Sequence, residues 1–373
     1  MNRKNKIKVL VIESTTFGYD GITNVIVNYY KYQDHNRIQM DLVTINEISS
    51  NFDSVLKQYH SQNYILPYRN SNPIEYVINL TNIIKRGKYQ IVHVHGCSAT
   101  MAVEMLAAKL AGVKIRIAHS HNTKCDHIRI DKMLRPFFSK FCNIGFACSK
   151  EAGEWLFPNK DFSIITNGID LEKYQFNNAV RDDMRIRNNL KDTFVIGHIG
   201  RFSKQKNHDK LVDIFSEISK DIPNTKLVLI GDGELREEVQ ERVQKQKLNV
   251  LFVGLSDEVE KWLQAMDIVI FPSLFEGIPL GLVEAQAAGL PCVLSDTISS
   301  DIAITDLVEF VKLDASARKW ADVARSFQNR YDRYERNEYV KQQIREAHFD
   351  IKANCEELKI RYENLADIRG GKK

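Results

Sequence analysis

The sequence predicts an α/β protein built from two doubly wound units in tandem, each a parallel sheet with helices on both faces. Three observations predict it. The chain has 373 residues, too many for one core when a domain takes roughly 100–200 residues. Short β-branched apolar runs alternate with helical patterns almost throughout, the signature of βαβ units. The alternation pauses once, over a polar stretch near the middle, and then resumes.

The first series of strand-like runs is Lys8–Ile12, Met40–Ile45, Tyr64–Leu66, Ile91–His95, Ile115–His119, Ile144–Ala147 and Ser163–Thr166. From Leu171 to Lys191 the chain is polar, with Asn177, Asn178, Arg181, Asp182 and Asp183, and no strand-like run precedes Phe194. A second series follows at Phe194–Ile199, Leu227–Ile230, Val250–Val253, Ile268–Phe271, Cys292–Leu294 and Phe310–Leu313. The predicted division is therefore a first domain over 1–170, a linker over 171–192, a second domain over 193–334 and a helical segment over 335–373. That segment carries Tyr339, Ile344, Phe349, Ile351, Leu358 and Tyr362 at helical spacing, and it is expected to pack back towards the first domain. Ligands of open α/β sheets sit beyond the carboxyl ends of the strands, so two such units facing one another would bind their ligand in a central cleft.

Composition excludes several classes. With 43% hydrophobic and 27% charged residues and no low-complexity tract, the chain is not disordered. The longest apolar stretches, Ile268–Phe275 and Ala99–Ala111, are short or broken by Glu104 and Lys109, so neither spans a bilayer. The basic start leads straight into a strand-like run, without the apolar region of a signal peptide. A cytoplasmic protein is expected. Six scattered cysteines lack any C-x-x-C pair and read as reduced thiols. Residues 1–170 carry 21 Lys+Arg against 14 Asp+Glu, a charge of +7, while the remainder carries 31 against 34. A basic first half suits a phosphorylated ligand or the anionic inner face of a membrane, and the excess is too modest for nucleic acid.

The most informative segment runs from Phe271 to Pro291, where a strand ends and a Gly/Pro loop, Glu276-Gly277-Ile278-Pro279-Leu280, opens an Ala-rich helix. Glu276 and Glu284 lie eight positions apart. One carboxylate then sits in the loop and the other just inside the helix, whose free first-turn N–H groups can bind an anion. A diphosphate at the helix start with carboxylates taking sugar hydroxyls is one reading. The other is an ordinary helix start that favours acids.

Ser-x-x-Glu-Gly followed by Glu-Ala-x-Ala-x-Gly-Leu-Pro resembles the donor-site signature of the retaining glycosyltransferases of family 4, which have the GT-B fold of two Rossmann-like domains. Gly200-Arg201-Phe202 with Lys206-Asn207, Gly231-Asp232-Gly233 and Asn167-Gly168-Ile169-Asp170 arrive in the family's order, so the resemblance covers nearly the whole chain. It implies a nucleotide-sugar donor, a UDP-sugar being favoured. Arg201 and Lys206 would hold the donor diphosphate, Glu284 the ribose hydroxyls, and Glu276 the hydroxyls of the transferred sugar, with Gly277, Ile278, Pro279 and Leu280 completing the donor loop. Cations and helix N–H groups stabilise a departing diphosphate most in the transition state. No D-x-D sequence occurs, so no divalent metal and no other cofactor is expected.

In the first unit Gly18 and Gly21 follow the opening strand, where Gly21 would permit close approach of the donor; the family's usual Gly-Gly reads Asp20-Gly21 here. In the family a histidine at the strand end near 119–121 lines the site by the reacting sugar. His121 is the favoured candidate and His119 the alternative, with Glu276 completing the catalytic set. His119, His121, Cys125 and His127 are too tightly spaced for a typical zinc site, and His93 and His95, alternating along a strand, read as structural, the alternative being that His95 faces the cleft. Over Arg129–Phe141 an amphipathic helix places Met133, Leu134, Phe137, Phe138 and Phe141 on one face beside basic residues, suiting either core packing or contact with an anionic membrane.

The loop after Ser295-Asp296 departs from the family's Gly-Gly-x-x-Glu. Together with Trp320 and Ala-His-Ser-His-Asn at 118–122 it is similar to the branch found in bacterial capsule and exopolysaccharide clusters, which implies a lipid-linked glycan acceptor. Retention is implied by the family, and no double-displacement nucleophile is visible, so front-face attack assisted by the departing phosphate is the expected route. Two rivals share the architecture: a nucleotide-sugar 2-epimerase, which needs no acceptor, and a non-catalytic nucleotide-sugar-binding protein.

Overall fold

Strands form where the β-branched runs fall. In the computed structural model, which describes residues 6–18, 21–123, 125, 127–328 and 332–370, the first sheet contains β1 (Ile7–Glu13), β2 (Ile38–Thr44), β3 (Asn63–Ile65), β4 (Ile91–Gly96), β5 (Ile115–Ser120), β6 (Ile144–Ala147) and β7 (Ser163–Ile164). The second contains β8 (Phe194–Ile199), β9 (Thr225–Ile230), β10 (Val250–Gly254), β11 (Ile268–Phe271), β12 (Cys292–Ser295) and β13 (Val308–Val311). Asp20 lies outside the described residues.

The order in the first sheet is β3-β2-β1-β4-β5-β6-β7 and in the second β10-β9-β8-β11-β12-β13. Every pairing within them is parallel. Both orders run outward from the first strand of the unit, turn back, and continue on its other side, which makes each unit doubly wound. The reversal falls between β1 and β4 in one sheet and between β8 and β11 in the other. At such a point the loops leaving two adjacent strands diverge and open a crevice.

Because both faces of each sheet are covered, the central strands are buried throughout: β4 and β11 show no exposed position. Helices supply the cover with their apolar faces, Leu211, Val212, Phe215 and Ile218 from helix His208–Asp221 being one example.

The contacts assign residues 1–168 and 351–373 to one unit and 169–350 to the other. The expected linker over 171–192 is instead part of the second unit. It forms helices Leu171–Tyr174 and Asn178–Arg187, burying Leu171, Met184 and Leu190 in that unit's core. The segment is polar and yet packed because Arg181 and Arg185 point inward, donating to the carbonyls of Gln264, Ala265 and Met266 and pairing with Asp267. The helical tail likewise divides sixteen residues later than the expected start at 335. Helix Asn337–Glu346 belongs to the second unit through Val340 and Ile344. Helix Ile351–Gly370 belongs to the first, with Cys355, Leu358 and Tyr362 buried there.

Candidate active site

At the reversal of the second sheet two loops are laced together. The chain leaving β8 turns through a 3-10 segment, Lys204–Lys206, and Asn207 closes it in the left-handed region at φ 56°, a conformation asparagine tolerates. Leu274 N–H donates to the Gln205 carbonyl at 2.8 Å, Gln205 Nε2 to the Phe275 carbonyl at 3.0 Å, and Asn207 Nδ2 to the Pro272 carbonyl at 3.0 Å. This lacing carries Lys206 to Glu276. Lys206 Nζ donates to both carboxylate oxygens, at 2.8 and 2.7 Å, and Ser273 Oγ donates to one of them at 2.5 Å. The side chains are 16% and 6% exposed.

Gly231 and Gly233, leaving β9, pack against the chain leaving β8. A Cβ at Gly233 would lie 2.5 Å from the Phe202 carbonyl oxygen, and Gly231 takes φ +137° beside the Gly200 carbonyl. Only glycine allows this approach, so the Gly-Asp-Gly motif serves to seat the Gly200–Phe202 segment.

Glu284 lies in the second turn of helix Leu280–Ala287, not in its first, which contains no acid. Its carboxylate accepts from Tyr174 Oη at 2.9 Å. Burial pushes this carboxyl up from its ordinary range, against the opposing pull of Tyr174 and Lys173. Arg201 is not brought to Lys206. It is largely exposed and pairs with Glu234 at 3.1 Å. The four charged residues read from the motif thus divide into one direct pair, Lys206–Glu276, and two groups with other partners. Gly277 and Gly281 have open space where a Cβ would stand. Tyr174 had no local signal in the sequence, whereas Ser273 is visible in the Ser-x-x-Glu-Gly pattern.

In the first unit, His95 on β4 stands directly opposite His119 on β5, and the period of two along each strand puts His93, His95, His119 and His121 side by side. Tyr362 Oη, from helix Ile351–Gly370, lies 2.6 Å from His93 Nδ1; His93 Nε2 lies 3.3 Å from His119 Nδ1, and His95 Nδ1 lies 2.9 Å from His121 Nε2. Burial pulls all four imidazoles down, His121 to about 3, and neighbouring imidazoles add to the effect at the other three. They are neutral near pH 7. His119 Nε2 and His121 Nδ1 are enclosed with no hydrogen-bond partner among the described residues. His127 is exposed and outside the group. At the end of β1, Glu13 accepts from Thr15 and Thr23 hydroxyls, and a Cβ at Gly18 or Gly21 would meet nothing within 4 Å.

Two doubly wound sheets in one chain are found in known proteins. The profile described as Glycosyltransferase Family 4 matches residues 19–173, and that described as Glycosyl transferases group 1 matches 180–346. Over 373 residues the chain is 30% identical to EpsF of Bacillus subtilis (strain 168), assigned as a glycosyltransferase, covering 95% of each. It is 31% identical over 240 residues to the UDP-Gal:α-D-GlcNAc-diphosphoundecaprenol α-1,3-galactosyltransferase of Escherichia coli, covering 59% of this chain and 61% of that one. Among solved structures, Anabaena HepE in complex with UDP superposes with a TM-score of 0.77 at 15% identity, over 96% of this chain and all of that one. Sucrose-phosphate synthase of Thermosynechococcus elongatus gives 0.74 at 15% identity, over 96% and 99%. The chain belongs to glycosyltransferase family 4. It has the GT-B fold and is a glycosyltransferase.

Proposed function

We propose that the enzyme moves a hexose from a UDP-sugar to a lipid-linked glycan acceptor, with retention of configuration and without a metal bridging the donor diphosphate. The observation that carries this reading is the Lys206–Glu276 pair at the reversal of the second sheet, four residues along the chain from the start of helix Leu280–Ala287. A leaving nucleoside diphosphate gathers negative charge as the glycosidic bond breaks. Lys206 and the helix N–H groups stabilise that charge where it develops. Glu276 orients Lys206 in the free enzyme and accepts a hydroxyl of the transferred sugar. Glu284, held by Tyr174, accepts from the ribose. Arg201, exposed and paired with Glu234, swings to the diphosphate when the donor binds. In the first unit the catalytic role falls to His121, or to His119 beside it, at the end of β5.

The UDP assignment draws on HepE, solved with UDP and with UDP-glucose. The lipid-linked acceptor draws on the Escherichia coli relative, whose acceptor is a diphosphoundecaprenol-linked sugar. The test is release of UDP from a panel of UDP-, GDP- and ADP-sugars, with and without an undecaprenyl-diphosphate-linked sugar, in chelator. Acceptor-dependent UDP release in chelator is expected, with an axial product linkage by NMR. Product from the donor alone would favour the epimerase; binding without turnover would favour the non-catalytic reading.

A membrane contact is supported by helix Ile128–Phe141. Phe138 is buried and Leu134 and Phe141 are half-buried against the core, so the apolar stripe splits. Ile128, Ile130, Met133 and Phe137 remain exposed, Met133 at 63%, beside exposed Arg129, Lys132 and Lys140. Among the described residues no helix is long and apolar enough to cross a membrane. Such a face lies in the interface plane of an anionic bilayer. Co-sedimentation with phosphatidylglycerol vesicles at low salt, lost on Met133→Asp with Phe137→Asp, is the expected result; no sedimentation at low salt would remove the contact.

A further inference from the structure

We propose that His93, His95 and His119 form a site for one borderline divalent transition ion of the Zn²⁺ class, in the first unit and separate from the chemistry of the donor diphosphate. One ring nitrogen from each of the three lies within 4.8 Å of the others, and all three side chains are buried. The same three rings line a cavity with about 10 Å³ of water-sized space, together with Val11, Ile26, Tyr29, Met40, Leu358 and Tyr362. That is room for about one small occupant.

The geometry fits an ion better than a water. Nitrogens about 2.0–2.1 Å from a tetrahedral zinc stand about 3.3 Å apart, and His93 Nε2 and His119 Nδ1 already stand at 3.3 Å. The Tyr362 hydroxyl on His93 Nδ1 occupies the place of the outer partner that fixes a ligating ring, leaving Nε2 to face the ion. Three imidazole nitrogens suit Zn²⁺, Cu²⁺ or Ni²⁺ and not the hard Mg²⁺ or Mn²⁺ that bridge diphosphates. The set differs from the sequence grouping of His119, His121, Cys125 and His127: His121 bonds to His95 instead. Two ligands come from β4 and one from β5, and the outer partner comes from the C-terminal helix, so the ion would tie the far end of the chain to the middle of the sheet.

The test uses the full chain, stripped by chelator and dialysed against Zn²⁺ or Co²⁺. One ion per chain is expected, with a thermal midpoint raised by Zn²⁺ and unmoved by Mg²⁺, and strong visible bands from Co²⁺ in a tetrahedral field. Tyr362→Phe should weaken binding about tenfold, and His95→Asn should reduce uptake to that of surface histidines. Should His95→Asn fail to fold, X-ray absorption of the Zn²⁺-loaded natural chain decides, with three imidazole nitrogens in the first shell expected. No uptake of Zn²⁺, fewer than three imidazoles around it, or uptake unchanged in a folded His95→Asn would overturn the site. So would loss of binding in His127→Gln instead.

Discussion

Removing Lys206 and Glu276 singly and together tests whether they act as one device. Lys206→Met keeps the aliphatic stem, which passes over the Gly200 backbone, and deletes only the charge. Glu276→Gln keeps the shape and leaves Lys206 without its bidentate anchor. Both groups are largely out of solvent, at 16% and 6% exposure. Breaking a buried pair costs about 3–5 kcal/mol, and the exposed sixth of Lys206 discounts this to about 1–3 kcal/mol of stability for either variant. The effect on turnover is larger. A lost donor to developing negative charge costs about 10²–10³ in rate, or about 2.7–4 kcal/mol, so kcat/KM of Lys206→Met should fall by that factor and that of Glu276→Gln by about 10–100. If each works only through the other, the double variant loses little beyond the worse single one, a coupling of about 1–3 kcal/mol. The assay is initial-rate UDP release at 25 °C, with thermal melts as a fold control. Strict additivity, or Lys206→Met keeping half the natural rate, would refute the reasoning.

Tyr174→Phe removes the hydroxyl on Glu284 and should raise KM for the donor about tenfold with kcat nearly kept, as loss of uniform binding requires; a fall in kcat at constant KM would contradict it. Stability should fall steeply in mild acid. Burial pulls His208 down to about 4 and His198 well below its ordinary value. Near an unfolded pKa of about 6.5 the unfolded chain takes up protons first, so this stability is present above about pH 6.5 and is lost as pH falls towards the folded values, by up to about 1.4 kcal/mol per pH unit for each imidazole. Denaturant melts from pH 7 to 4 should show the slope, shallower in His208→Gln; an equal slope in that variant would count against it. Gly233→Ala drives a methyl onto the Phe202 carbonyl and should cost about 1–3 kcal/mol, while Gly277→Ala, which meets nothing within 4 Å, should leave the thermal midpoint in place.

The fold was legible because parallel strands buried on both faces must be written as nearly unbroken apolar runs. Ile268–Phe271 and Ile91–His95 could be little else. Boundaries were less legible. The run Leu171–Lys191 looks like a linker because it carries six charged residues from Arg181 to Lys191. Two of them, Arg181 and Arg185, serve the interior by capping the carbonyls of Gln264–Met266 and meeting Asp267. Charge marks a solvent face only when its partners are unknown, and those partners lie some eighty residues away.

The same limit separates what could be read of the site from what could not. Glu276, Ser273 and the glycines around them are close in sequence, and local spacing alone places them on one loop. That Lys206 reaches Glu276 depends on Gln205 and Asn207 stitching one strand-end loop to the other, so proximity arises from the strand order β8–β11 and not from either motif. Tyr174 and Tyr362 carry no motif at all. Each reaches its partner across more than a hundred residues, Tyr174 to Glu284 and Tyr362 to His93. Both are hydroxyls that hydrogen-bond a group no motif joins to them. In a doubly wound sheet the groups at strand ends are therefore legible from local pattern, whereas those that orient them come from helices whose return to the sheet no local pattern encodes. The histidines make the point most sharply: His93 and His95 read as structural because their spacing is only that of a strand, and they gain chemical meaning when β5 sets His119 beside them.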